Sequence, residues 1–170
     1  TEVIKIIIVW TGVIILVPWA ISAAGGWDVV VAGLGGRTGL GGSVFGTPFA
    51  WGIFTGFGAA AFLGHLGGPW GDHGFYQRAF SIKKNCIIPS FIIASFVFIV
   101  VPICMGLLGF LAAGAGLDIP NSMVGVTNAI TIGTFLPTSA AIVFMFMVFA
   151  GLVAILDSQF ASVANMTGHD

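Results

Sequence analysis

Asp72, His73, Arg78, Lys83 and Lys84 stand within one short stretch, Gly68-Pro-Trp-Gly-Asp-His-Gly-Phe-Tyr-Gln-Arg-Ala-Phe-Ser-Ile-Lys-Lys-Asn85, between two long apolar runs. Only 6% of the residues are charged and 58% are hydrophobic, so these groups are too concentrated to be incidental surface. In an apolar setting such a cluster marks one of two things. It is a helix end at the lipid–water boundary, or an interrupted helix beside a binding site. As a solvated loop, Asp72 and His73 pair with Arg78 and Lys83.

Two further positions carry ionisable chemistry. Near the C-terminal end, Ala154, Asp157, Ser158, Ala161, Ser162 and Asn165 recur at helical spacing and give a long apolar segment one narrow polar face. Asp157 is either an interfacial carboxylate reaching water or a cation or proton site, since ionisable groups facing a helix bundle usually mark an ion pathway. Counted from Leu136 it lies roughly 30 Å along the axis, near the edge of a bilayer core. His65 precedes Gly67-Gly68-Pro69. It is either a hydrogen-bonded packing residue or a solute contact beside an unwound segment, with Gly67 and Gly68 exposing backbone to the path.

The elements that must position these residues follow from composition. A mean hydropathy of +1.11 with 6% charge is far from the roughly 25% charge of a soluble domain. Apolar runs of about 20 residues suit a hydrocarbon core of roughly 30 Å, and spans are expected at 6–24, 48–66, 87–113 and 136–162, the last with a start as early as Thr131. This is an all-α membrane reading, a single transmembrane domain over 1–170. Pro18 and Pro102 are expected to kink their helices, and Gly25-Gly26 to end the first. The Gly-rich residues 25–47 read as an extramembrane loop or a short re-entrant piece. Gly52/Gly56 and Gly64/Gly68 are small-xxx-small pairs that permit close helix approach.

Four spans put Lys5, Arg78, Lys83 and Lys84 on one side and Arg37 on the other. The positive-inside bias then makes Gln77–Asn85 a cytoplasmic loop, in a multi-pass protein of the plasma (inner) membrane. Cys86 and Cys104, the two cysteines, suggest neither a disulfide nor a transition-metal site. No basic patch suits nucleic acid. No nucleophile elbow, zinc-protease motif or phosphate loop is present, so an enzyme is not expected. A start at Thr1-Glu2 and an end at His169-Asp170 just after an apolar run read as a piece of a larger protein.

The stretch from Asp72 to Lys84 resembles the Asp-Gln-x-x-x-Gln-Arg-x-x-x-Ala-Lys signature of the sodium:solute symporter family, with Gln77 and Arg78 on its Gln-Arg pair. Thr1-Glu2 is similar to the Thr-Asp that opens the family's fifth core helix, and Gly25-Gly26-Trp27-Asp28 to the segment that follows it. Leu156-Asp157-Ser158-Gln159-Phe160, with Thr167 and Asp170, resembles the eighth core helix. The resemblance spans the chain and implies core helices five to eight of a leucine-transporter-like inverted repeat.

That resemblance implies a secondary active transporter for a small organic solute, coupled to Na+ or a proton, with the remaining helices of a full-length transporter as partners. The family's main sodium site takes two adjacent hydroxyls, where this chain has Ala154 and Ile155. A second sodium site maps to Glu2, Asp157 and Ser158, all oxygen donors. Two neighbouring carboxylates also suit a proton. His65 matches a polar sugar contact, whereas Gly68 and Pro69 stand where the family has aromatics, which argues against a sugar. The other reading on the same fold is a membrane sensor module attached to a histidine kinase. A degenerate module with only a structural role is the third, prompted by Ala154 and Ile155.

Overall fold

Where little water reaches the backbone, amides and carbonyls have to pair along their own helix. The long apolar runs therefore become long helices. The computed structural model of the chain describes residues 2–38, 51–52, 54–71 and 73–168, which hold helices and turns and no strand. The α-helices are α1 (Glu2–Ala23), α2 (Trp27–Ala32), α3 (Ala60–Gly71), α4 (His73–Phe80), α5 (Ile87–Gly114), α6 (Thr127–Phe135) and α7 (Thr138–Thr167). Among the described residues, three helical segments are long and apolar enough to cross a membrane: Val3–Ala23, Lys84–Gly114 and Thr138–Thr167. The fold is all-helical, as expected for a membrane protein.

Three of the four expected spans are thus matched by helices of the right length. Part of the fourth, at 48–66, lies outside the described residues. Its described part is helical, a π-helical turn, Phe54–Ala59, running directly into α3. The expected early start of the last span is corrected. Leu136 is extended (φ −114°, ψ 157°) because Pro137 crowds an α conformation at the residue before it, so α6 and α7 are separate helices. Pro18 lies inside α1 and Pro102 inside α5, each removing one backbone donor. Gly25 (φ 115°) and Gly26 (φ 98°) end α1 in a conformation that side chains disfavour, and the Gly26 amide donates to the Ile21 carbonyl at 2.8 Å.

Two further expectations change. Residues 27–38, read as an extramembrane loop or a short re-entrant piece, are not loop but form α2 and a 3₁₀ turn, Gly33–Thr38; the rest of the 25–47 segment from residue 39 on lies outside the described residues. Gly67 and Gly68, read as unwound, belong to α3, and Gln77–Asn85, read as loop, starts inside α4 and ends in a 3₁₀ turn, Lys84–Cys86.

The chain divides into two units, 1–44 with 97–152 and 45–96 with 153–170. The first contains the core. In α1, Val13, Leu16, Val17 and Ala20 form a buried stripe spaced three and four apart, and α1 packs on α2 and α6. Val30 of α2, Leu108 and Leu111 of α5, Ile132 of α6, Leu136 in the link that follows it, and Ala140, Phe144 and Met147 of α7 complete the cluster.

Two contacts in this unit have no room for a side chain on their glycines, one against a methionine side chain and one between backbones. A Cβ on Gly12 would sit 2.6 Å from the Met147 Sδ. On Gly33 it would strike the Phe110 carbonyl, and on Gly114 the Val29 carbonyl. The Gly52/Gly56 and Gly64/Gly68 pairs, expected to do this, have open space above them among the described residues.

The second unit is held more sparsely. α3 packs on the π turn and on α4, and the Phe75 ring stacks on Phe91 at 4.6 Å and 27°.

Candidate functional site

Asp157 and Ser158 are consecutive residues of α7, and both fall in the second unit. Asp157 is exposed, Ser158 half-buried, and Ser162 one turn on is buried. The Ser158 hydroxyl donates to the Ile155 carbonyl at 2.8 Å. With its proton donated to its own helix, Oγ has only lone pairs left for a ligand, which is the polarity a cation requires of a hydroxyl.

Glu2 stands at the first position of α1, in the first unit. Ala154 and Ile155, where the main sodium site would need hydroxyls, are half-buried and exposed. Neither offers a side-chain oxygen.

The same back-bonding pattern repeats along the chain. Thr55, Ser95, Thr131, Thr134 and Thr167 each donate to a carbonyl one turn earlier, at 2.8–3.0 Å. These hydroxyls satisfy their donors without leaving the helix, as an apolar setting demands. Thr131 is the fully buried member, set in α6 beside Ile132. Sequence reasoning missed it, and its one signal was a hydroxyl inside an otherwise apolar stretch.

His65 is exposed on α3, with Nδ1 2.7 Å from the Ala61 carbonyl. A carbonyl accepts only, so Nδ1 carries the proton in this contact and Nε2 of a neutral ring is left as an acceptor. A ligand meeting His65 there must bring a donor or a cation. Gly67 and Gly68 share the helix, and a Cβ on either would meet nothing within 4 Å. Among the described residues, no group of three His, Cys, Asp or Glu side chains is placed to hold a metal ion.

In the signature segment, His73, Gln77 and Arg78 belong to α4, with Gln77 half-buried and Arg78 exposed, while Asp72 lies outside the described residues. α4 closes at Ser81, whose hydroxyl donates to the Arg78 carbonyl at 2.8 Å. The stacked Phe75 and Phe91 rings join α4 to the start of α5. Such a pair contributes about 1 kcal/mol beyond area burial. Phe75→Ala should therefore open α4 roughly fivefold more often, measured as faster tryptic cleavage after Arg78 and Lys83 under conditions where reclosing outpaces cleavage. Unchanged cleavage would show that the stack holds nothing.

No protein-family model matches this chain, and no curated protein or solved structure matches it either.

Proposed function

We propose that this chain is part of a secondary active transporter for a small organic solute, coupled to a cation, with sodium or a proton as the coupling ion. The observation that carries the reading is a carboxylate and a hydroxyl whose proton is already donated to its own helix, Asp157 and Ser158, consecutive on a helix otherwise apolar enough to cross a membrane. Charge in such a helix is costly and is kept where it binds or moves something. The resemblance of Asp72–Lys84 and Leu156–Phe160 to the sodium:solute symporters supports the same reading.

In mechanism, the cation would be held by Asp157 and Ser158 in one conformation more tightly than in the other, and the family resemblance implies Glu2 as a further oxygen donor. Only that difference can turn an ion gradient into a bias on the solute site. The acceptor Nε2 of His65 would favour a solute carrying a hydroxyl or ammonium group on the side it meets.

Uptake by the full-length protein in proteoliposomes tests this, with sodium and proton gradients imposed separately over a panel of labelled amino acids, sugars and carboxylates. One gradient should drive accumulation. Asp157→Asn and Glu2→Gln should weaken the apparent ion affinity about tenfold or more, the scale of a lost hydrogen bond to a charge. Ser158→Ala should act in the same direction, and because that hydroxyl bonds its own helix it should leave thermal stability within about 0.5 kcal/mol. Unaltered ion dependence in all three variants would remove the cation site. Absence of gradient-driven uptake across the panel would remove transport.

A further inference from the structure

Arg78, Lys83 and Lys84 occupy exposed positions at the end of α4 and in the turn leading into α5, a helix long and apolar enough to span a bilayer. Around them stand exposed aromatics: Trp70 is 82% exposed, Phe80 85% and Tyr76 42%. Tyr76 and Phe80 are four residues apart and share a face of α4, while Phe75 is engaged with Phe91 on α5. The stack therefore ties the short helix to the membrane helix while its second aromatic face stays uncovered. From Trp70 to Cys86 the sequence has three basic residues against one acid, Asp72. Amphipathic aromatics with a local positive excess at the end of a spanning helix match the headgroup layer in both polarity and sign.

We propose that α4 and the Lys83-Lys84 turn form an interfacial seat for anionic phospholipids. The Tyr76/Phe80 face lies at the acyl boundary, and the three cations engage lipid phosphates of the adjoining leaflet. This holds whether or not the protein transports anything.

Hydrogen exchange of residues 76–86, measured on the full chain in nanodiscs, tests it. Phosphatidylcholine alone is compared with a mixture containing phosphatidylglycerol. Exchange should slow in the anionic discs by roughly fivefold for each cation engaged, and the slowing should disappear at high salt. An R78Q/K83Q/K84Q variant should exchange equally in both lipids, and R78K/K83R/K84R should keep the difference. Equal exchange of the native chain in the two lipids would overturn the proposal. So would a lipid difference that survives R78Q/K83Q/K84Q, or the same slowing produced by inorganic phosphate in phosphatidylcholine discs.

Discussion

Gly33→Ala and Gly114→Ala should each destabilise the first unit by about 1–3 kcal/mol, the usual cost of forcing extra volume into a packed contact. Each new methyl would meet backbone, not a yielding side chain: the Phe110 carbonyl for Gly33, and the Val29 carbonyl, with the Gly33 nitrogen 2.8 Å away, for Gly114. The Cα–H of each glycine points at the carbonyl across from it, so two weak Cα–H···O contacts are lost as well. Because one small separation of the two backbones relieves both clashes, the double variant should cost less than the sum of the singles. Gly109→Ala is the control, on the same helix with open space for its methyl and better helix propensity. Thermal unfolding in bicelles reads all four. A Gly109→Ala penalty equal to that of Gly114→Ala would mean that the crossing is not what the glycines serve.

Leu108→Ala should cost about 1–3 kcal/mol and Phe96→Ala less than about 0.5, although both lie on α5 and the deleted ring is the larger group. Leu108 is fully buried in the core of the first unit, whereas Phe96 is 72% exposed. The expected cost of Leu108→Ala sits at the low end for a core leucine because lipid tails are as apolar as the protein interior. Separating helices in a bilayer gains no hydration penalty, and what the truncation loses is dispersion across the cavity it leaves. The same unfolding measurement decides the point. A Phe96→Ala loss matching that of Leu108→Ala would show that α5 is packed all round.

Those two residues also show where sequence reading stops. α1, α5 and α7 were legible because their apolar runs are long, and Gly25-Gly26 marked the end of α1 correctly. Which face of each helix turns inward was not legible. A helix flanked by lipid is apolar on every side, so periodicity has nothing to contrast, and Leu108 reads like Phe96. The punctuation was misleading as well, since Gly67, Gly68 and Pro69 continue α3 although such a run reads as a break.

A spacing of four within one segment marks Gly52/Gly56 and Gly64/Gly68, but the close contact pairs Gly33 with Gly114 from distant parts of the chain. For the candidate site, the adjacency of Asp157 and Ser158 on one helix could be read directly. The bond from the Ser158 hydroxyl to the Ile155 carbonyl, which leaves only lone pairs for a ligand, could not, because a serine in a helix has several rotamers and its residue type does not choose among them.

The thioether of Met147, pressed against Gly12, gives the chain an order of vulnerability to oxidants. Met147 is 4% exposed, with no room for another atom between its sulfur and the α1 backbone. Met123, Met145 and Met166 are each more than half exposed. Of these, Met123 lies outside the three segments long and apolar enough to cross a membrane, so aqueous peroxide or hypochlorite would convert it to the sulfoxide while the packed sulfur stays reduced, and a reductase could reverse that change. Oxidation at Met147 would have to wait for α1 and α7 to part, and the polar sulfoxide formed there would then keep them from closing again.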